Sequence, residues 1–181
     1  MALLLAALAL AADAPPEHVA AFIQAAFPDA TEATPDSRTL DAAAQERLRE
    51  VLGKRVDPEV DLHRIARGAN ALGYVLIDDQ LGQHEPITYA LAFDAEGTVL
   101  LHDVLVYREA FGEGIRDPRF RNQFVGKRHG DGFALGRDIK IVSGATVSSK
   151  AMAVGVRRGA AIMAELLADA PEGPSVAAPV P

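Results

Sequence analysis

Apolar side chains recur at helical spacing in three segments of this chain. Residues 17–27 and 41–52 place them every three or four positions, which is the repeat of a helix with one buried face. Gly53 is suited to end the second helix, because glycine readily adopts left-handed backbone angles. A longer helix is predicted over residues 146–167. The face that we expect to pack on a sheet is formed by Met152, Val156, Ala160, Met163 and Leu167.

β-branched and aromatic residues dominate three segments in the middle of the chain. Residues 73–77, 87–94 and 98–107 have the composition of strands. Residues 94–97, with the sequence Asp-Ala-Glu-Gly, form a predicted hairpin turn between the second and third of them. Consecutive strands joined in this way make an antiparallel meander. The pattern therefore predicts an α+β fold with an antiparallel sheet flanked by helices.

The two ends of the chain differ in composition from the rest. Residues 1–12 are an uninterrupted apolar run, too short to span a bilayer as a helix but typical of a signal peptide. No Lys or Arg precedes the run, so an uncleaved hydrophobic N-terminal helix is the alternative interpretation. Residues 168–181 are rich in Pro and Ala and predict a flexible tail. The expected organisation is a signal peptide or hydrophobic segment over 1–14, one domain over 15–167, and the tail.

Composition narrows the range of functions. The chain has 181 residues, 49% of them apolar, which is enough for the core of a single domain. Its formal net charge of −7 argues against nucleic acid as a partner. The absence of cysteine excludes thiolate zinc sites, iron–sulfur clusters and a thiol nucleophile. Any redox chemistry therefore depends on an organic cofactor or on a metal held by His and carboxylate side chains.

Four hydroxyl side chains and a glycine are concentrated at the start of the predicted long helix. They are Ser143, Gly144, Thr146, Ser148 and Ser149. The unpaired N–H groups of a helix's first turn and the positive end of its dipole favour an anion, and glycine lets the backbone approach a ligand closely. The alternative is that Ser143 or Thr146 only caps the helix.

The segment leading into this helix is basic, although the chain as a whole is acidic. Residues 116–140 contain seven Lys and Arg against three Asp. A solvated loop with fortuitous charge is one interpretation. A basic segment that runs directly into a hydroxyl-rich helix start favours the other, a small molecule that carries a phosphate.

Two common hydrolase motifs do not fit these residues. Ser143 lacks the neighbouring glycines of a Gly-x-Ser-x-Gly nucleophile, since Ile141 precedes it and Ala145 follows it. His84-Glu85 is not followed by the second histidine of a His-Glu-x-x-His zinc site. A serine hydrolase and a zinc hydrolase are therefore disfavoured.

Several blocks of the sequence, in the same order, carry a family resemblance. The first is Ser143-Gly144-Ala145-Thr146-Val147-Ser148, the second is Tyr107-Arg108-Glu109-Ala110-Phe111-Gly112, and residues 82–88 and 123–127 are interpreted as fold markers. Together they resemble the FMN-binding domain found in the G subunit of the Rnf complex, in the C subunit of the sodium-translocating NADH:quinone oxidoreductase and in stand-alone exported proteins. The resemblance extends from about residue 21 to residue 167.

The resemblance implies that FMN is the cofactor and that a dedicated flavin transferase esterifies its phosphate to Thr146. Phe111 or Tyr107 would form an apolar shelf for the flavin ring, and Arg108 would supply positive charge near it. Neither a catalytic residue nor a metal ligand is implied. The residues implied to contact the cofactor are Thr146, Ser143, Gly144, Ala145, Ser148, Ser149, Tyr107, Arg108, Glu109, Phe111, Gly112 and Lys140.

One position departs from the family pattern. The attachment motif resembles Asp-x-x-Ser-Gly-Ala-Thr, but Lys140 stands three residues before Ser143, and Asp138 lies two residues further upstream. If the transferase or its metal needs the missing carboxylate, FMN would bind without a covalent bond. A lysine would alternatively neutralise the phosphate directly. Covalent attachment is the favoured interpretation.

The sequence and the resemblance together predict an exported electron-transfer flavoprotein, in the periplasm or on the outer face of the cytoplasmic membrane. Its expected partners are membrane-associated redox proteins and the flavin transferase. An electron carrier is favoured over an enzyme with its own substrate. The alternative is a noncatalytic exported accessory or sensory module that binds flavin or another phosphate ligand noncovalently.

Overall fold

The structure is a computed structural model that describes residues 15–169 and the backbone of residues 4–5. The predicted signal peptide or hydrophobic segment over residues 1–14, apart from those two positions, lies outside the described residues, as do residues 170–181 of the predicted tail. In the described part of the chain, no helix combines the length and the apolar character needed to cross a membrane.

The described elements are seven strands, four helices and two 3-10 turns. The strands are β1 (Leu4–Leu5), β2 (Glu32–Pro35), β3 (Arg38–Thr39), β4 (Glu59–Arg67), β5 (Asn70–Leu81), β6 (Pro86–Phe93) and β7 (Val99–Val106). The helices are α1 (Pro16–Ala26), α2 (Ala42–Leu52), α3 (Pro118–Arg121) and α4 (Thr146–Ala168), with 3-10 turns at Glu113–Arg116 and Asn122–Phe124.

The strands form one mostly antiparallel sheet. Its order is β1-β2-β4-β5-β6-β7, and β3 pairs with β4 beside this path. Each of the pairs β2–β4, β4–β5, β5–β6 and β6–β7 is antiparallel, whereas β1 is parallel to β2. The predicted α+β fold, an antiparallel sheet flanked by helices, is confirmed.

The two faces of the sheet carry side chains of different size. In β6, Tyr89, Leu91 and Phe93 point into the larger core cluster beneath α2 and α4, while Ala90 and Ala92 face the smaller cluster beneath α1. This alternation follows from the two-residue period of a strand. The long helix therefore lies over the bulky face of the central strands.

The predicted face of α4 does pack on the sheet. Met152, Val156, Ala160 and Met163 are each at most 1% exposed. Glycines in the helix allow the close approach, because a Cβ at Gly159 would lie 2.5 Å from the Leu91 Cδ1 atom. The start of α4 is thus held firmly relative to the sheet.

The predicted helices and the central hairpin are confirmed, but several strands were not predicted. The strands β2, β3 and β4 had no counterpart in the sequence analysis. In β4 a register shift between Ile65 and Ala66 places two apolar residues in succession and breaks the alternation. β5 runs from Asn70 to Leu81, beyond the predicted residues 73–77, because its pairing with β6 continues to Leu81 opposite Pro86. Asp78 in this added part pairs with Arg158 of α4.

The segment between β7 and α4 is anchored by aromatic side chains. Phe120 and Phe124 are at most 2% exposed and meet edge to face, with ring centroids 5.4 Å apart. Phe124 also meets the buried His102 ring at 5.0 Å. These contacts fix the path of the chain as it approaches the first turn of α4.

Candidate functional site

A tight turn leads the chain into α4. The Ala145 amide donates to the Val142 carbonyl at 3.0 Å, and Gly144 between them has a φ of +75°, which glycine adopts without strain. Ala145 is the N-cap residue and is 3% exposed. Its methyl group packs in the core and anchors the turn, while the residues on either side face outwards.

No side chain of the described residues caps the first turn of α4. The first backbone bond of the helix runs from the Ser149 amide to the Ala145 carbonyl at 2.8 Å, so the amides of Thr146, Val147 and Ser148 precede it. The interpretation of Ser143 or Thr146 as a helix cap is therefore wrong. The hydroxyls of these two residues are on exposed positions at the positive end of the helix.

The other two hydroxyls of the first turn point into the protein. Ser149 is fully buried, and its Oγ accepts from the Val142 amide at 3.3 Å, which ties the turn to the helix. Ser148 is 4% exposed, and its Oγ lies 2.9 Å from the Tyr107 Oη. The four hydroxyls thus divide into an exposed pair, Ser143 and Thr146, and a buried pair, Ser148 and Ser149.

Residues 107–112, which we call the site loop, connect β7 to the segment that leads towards α4. Its Tyr107 hydroxyl donates to the Phe111 carbonyl. A guanidinium nitrogen of Arg108 donates to the Pro86 carbonyl at 3.3 Å and to the Thr88 hydroxyl at 3.2 Å. The Arg108 side chain is thus bonded to the start of β6.

Glu109 joins the site loop to the turn before β6. Its Oε1 accepts from the amides of His84 and Glu85 at 2.7 and 3.1 Å. These backbone bonds hold the pKa of the Glu109 carboxyl below its usual value, because they stabilise its charged form. Part of the block at residues 82–88 therefore acts as a support for the site loop, which agrees with its interpretation as a fold marker.

The site loop presents one apolar side chain to solvent. Phe111 is 86% exposed, although its backbone is held by the Tyr107 bond. The next residue, Gly112, has a φ of +96°, and a Cβ there would lie 2.4 Å from the Ser148 Oγ and 2.7 Å from the Tyr107 Oη. The loop therefore touches the first turn of α4 directly, and only glycine fits at the contact.

An open cleft of about 620 Å³ lies beside the turn at Ser143. Its wall combines apolar side chains with polar and charged ones. The lining residues are Asp117, Arg119, Phe120, Gln123, Lys140, Ile141, Val142 and Ser143.

The backbone of Lys140 is held in the cleft by two hydrogen bonds to the Gln123 side chain. The Lys140 amide donates to the Gln123 Oε1 at 2.7 Å, and the Gln123 Nε2 donates to the Lys140 carbonyl at 3.3 Å. Gln123 was interpreted only as part of a fold marker, so its place in the cleft was missed. Its half-buried polar side chain carried no signal in a single sequence.

Most of the basic segment does not converge on the site. Arg121 pairs with Asp103, Arg137 with Asp138, and the Lys127 ammonium donates to the Gly132 carbonyl at 2.9 Å. Of the seven basic residues, Arg119 and Lys140 line the cleft, and Arg119 is paired with Asp117 at 2.6 Å. The charge that reaches the helix start is therefore smaller than the composition indicated.

Asp138, the upstream carboxylate of the motif, supports the backbone of a neighbouring turn. Its Oδ2 accepts from the Ala134 amide at 2.9 Å. The Arg137 guanidinium and this amide hold the pKa of Asp138 below its usual value. Asp138 is thus engaged within its own turn, and Lys140 faces the cleft.

Comparison with known proteins identifies the segment that contains these features. Residues 82–161 match the FMN-binding domain. The match includes the support at His84 and Glu85, the site loop, and the turn that begins α4. No curated protein matches the chain. This part of the chain, residues 82–161, therefore belongs to the FMN-binding domain family, and its cofactor is FMN.

Proposed function

We propose that this protein is an exported electron-transfer flavoprotein whose FMN is esterified through its phosphate to Thr146. The observation that carries the proposal is the exposed Thr146 hydroxyl on an uncapped helix start, within the segment that matches the FMN-binding domain. Because no residue in the described part of the chain caps these amides or bonds to this hydroxyl, they are available to a ligand.

The helix start fits a phosphate. The amides of Thr146, Val147 and Ser148 lie at the positive end of a 23-residue helix, where anions are favoured. Gly144 keeps side-chain bulk away from the turn, and Lys140 lies in the adjoining cleft. A phosphate bound at Thr146 would gain from all three features.

Exposed apolar side chains near Thr146 fit the flavin ring. Phe111 is 86% exposed, Val147 is 48% exposed and Ile141 is 46% exposed. An aromatic ring gains by stacking on such surfaces and by excluding water from them. When bound, FMN accepts and donates electrons, and the residues of this chain orient it and shield one side from solvent.

The ester step conserves the atoms of both partners. A bond forms between the Thr146 Oγ1 and the FMN phosphorus, the bond between that phosphorus and its leaving group in the transferase's activated flavin donor breaks, and the leaving group departs with the hydroxyl proton. The protein gains the mass of FMN minus water. A flavin held in this way is not lost by dissociation, which suits an exported protein because the tether keeps the effective concentration of the ligand high.

The support for export comes from the sequence. Residues 1–14 combine the apolar run with small residues before Pro15, as in a signal peptide. We extend the proposal to a location in the periplasm or on the outer face of the cytoplasmic membrane, with membrane-associated redox proteins as electron donor and acceptor.

A second candidate function rests on Lys140. The attachment motif has an aspartate at this position, whereas this chain has a lysine, which lines the cleft. If the transferase requires that carboxylate, the protein is an accessory or sensory module with noncovalent FMN. Lysine would then contribute to phosphate affinity rather than to attachment.

Expression in two hosts, with and without a flavin transferase, tests the proposal. Protein from the first host is expected to be yellow, to be bleached reversibly by dithionite and to keep its colour after denaturation and gel filtration. Colour that is lost on denaturation supports the noncovalent module. Colourless protein, from a host that attaches flavin to a known substrate, contradicts the proposal.

A further inference from the structure

We propose that Tyr107 and Ser148 are positioning residues that set the site loop, and with it Phe111, at a fixed place beside Thr146. The two hydroxyls do this without touching the flavin. The inference rests on the proposed function for its consequence, but its structural part concerns the unloaded protein alone.

The direction of the hydrogen bonds follows from the groups present. The Phe111 carbonyl can only accept, so the single proton of the Tyr107 hydroxyl is donated to it. The Ser148 hydroxyl, 2.9 Å away, must then donate to the Tyr107 oxygen. A chain of two bonds therefore runs from the first turn of α4 to the backbone of the site loop.

The two hydrogen bonds lead from the interior of the protein to its surface. Ser148 is 4% exposed, whereas Phe111, at the other end, is 86% exposed. Leaving a buried hydroxyl without a partner is unfavourable, so each of the two hydroxyls holds the next group in place. Ser148 thus acts through Tyr107, and the flavin-facing group is Phe111.

The contact at Gly112 shows how closely the loop is fitted. A Cβ at this residue would overlap the Ser148 Oγ and the Tyr107 Oη. The opposite side of the loop is fixed by Glu109 on the amides of His84 and Glu85. Held from both sides, the loop presents Phe111 in one position instead of letting it collapse onto the surface.

A pinned, exposed phenylalanine is unusual for a group with only a packing role. Burial of a side chain of this size is favourable, and here that gain is not realised within the described residues. The supports keep Phe111 beside the turn that bears Thr146. A ring tethered at Thr146 would recover the gain by covering it.

The structural part is tested on unloaded protein by hydrogen exchange. Tyr107→Phe removes the bond to the Phe111 carbonyl, and exchange at the amides of His84, Glu85 and Ile115, which donate to the site loop, is expected to rise about fivefold, the effect of one hydrogen bond. Ser148→Ala should act in the same direction, Ser148→Thr should restore protection, and Ser143→Ala serves as the exposed-hydroxyl control. Unchanged exchange in Tyr107→Phe would overturn the inference.

The functional part is tested on flavin-loaded protein by visible circular dichroism and flavin fluorescence. In samples matched for flavin content, Tyr107→Phe and Phe111→Ala are expected to change both signals in the same direction. The double variant should resemble Phe111→Ala alone, because both changes act through one side chain.

Two failures can be told apart. Wild-type protein without flavin contradicts the proposed function. The hydrogen-exchange result on unloaded protein then still tests whether Tyr107 and Ser148 hold the site loop in place. Wild-type protein with flavin, but with the same optical signals in Tyr107→Phe, overturns the positioning role and leaves attachment intact.

Discussion

The first turns of α2 and α4 both contain backbone amides without a partner in the helix, and the two helices treat these amides differently. At α2 the Asp41 carboxylate accepts from the Ala44 amide at 2.7 Å, and the helix ends on Gly53 with a φ of +73°. At α4 the N-cap is Ala145, and no described side chain caps the first turn although four hydroxyls lie within seven residues. One helix start is completed by its own sequence, and the other is left open to a ligand.

The difference shows what hydroxyl-rich helix starts are used for. Where a helix has only to be stable, one side chain at the N-cap suffices and contributes about 1 kcal/mol. At α4 the hydroxyls are divided: Ser148 and Ser149 hold the turn and the site loop, while Ser143 and Thr146 remain exposed. Stability and ligand binding are thus assigned to different members of one short segment.

The largest expected effect is the loss of flavin in Thr146→Ala. In a host with a flavin transferase, this variant should show no in-gel fluorescence and the mass of the unmodified chain. Its midpoint of thermal unfolding, compared in unloaded proteins, should stay close to that of the wild type, because the hydroxyl caps nothing. Ser143→Ala is the matched control and should keep its flavin. Attachment that survives in Thr146→Ala would contradict the account.

A second prediction concerns a contribution to the stability of the fold that involves neither helix start. His102 is fully buried without a hydrogen-bond partner among the described residues, and burial, aided by nearby Arg121, lowers its pKa to about 3. The unfolded chain therefore binds one more proton between about pH 6.5 and 3, so stability falls as the pH falls through that window, by about 1.4 kcal/mol per pH unit.

Replacing this histidine isolates its contribution. The difference in unfolding free energy between His102→Phe and the wild type should grow in favour of the variant below pH 6.5. Denaturant titrations at several pH values measure it. Asp61, whose pKa is raised to about 6 by burial, acts in the opposite sense between about pH 6 and 3.8, and it cancels because it is present in both proteins. A constant difference would show that the fold does not lower the pKa of His102.

Loss of the cap on α2 is expected to have effects opposite to those of Thr146→Ala, since stability should fall and flavin attachment should not change. Asp41→Ala should lower the free energy of unfolding by about 1 kcal/mol, since it leaves the Ala44 amide without its acceptor. Flavin attachment should be unchanged, as measured by intact mass. A loss of flavin in this variant would mean that the two helix starts are coupled, which the comparison denies.

The smallest expected effect concerns inorganic phosphate. Unloaded protein should be stabilised by phosphate by about 0.3–1 kcal/mol, the range for an anion at an exposed helix start. Lys140→Ala should reduce the gain, and Asp41→Ala should not. Thermal melts in phosphate, with sodium chloride matched for ionic strength, provide the measurement. Equal stabilisation in both salts would remove the open helix start as its cause.

Much of the fold could be predicted because its elements are regular. The helices α1, α2 and α4 have uninterrupted apolar repeats, and the turn between β6 and β7 ends in a glycine. β4 was not predicted, because its register shift and its inward-facing Asp61 and His63 interrupt the alternation of apolar and polar residues. His63 is buried and Asp61 is half-buried by tertiary packing, which a local pattern does not contain.

The site was predicted in composition but not in arrangement. Motif similarity drew attention to the site loop and to the start of α4 and singled out Thr146 for attachment, yet it also placed Ser148 in contact with the cofactor. The structure places one inside and the other outside, because residues two positions apart in a helix lie about 200° apart around its axis and so on nearly opposite faces. The same limit applies to Lys127 and Arg137, whose charge is satisfied locally by partners that spacing alone does not reveal.

The most direct test of the account locates the flavin in a single peptide. Trypsin is expected to release residues 141–150, since Lys140 precedes them and Lys150 ends them. Fragmentation of this peptide, from protein loaded in a host with a flavin transferase, is predicted to place the added mass of FMN minus water on Thr146. The same mass on Ser143, Ser148 or Ser149, or an unmodified peptide from yellow protein, would contradict the claim that Thr146 carries the cofactor.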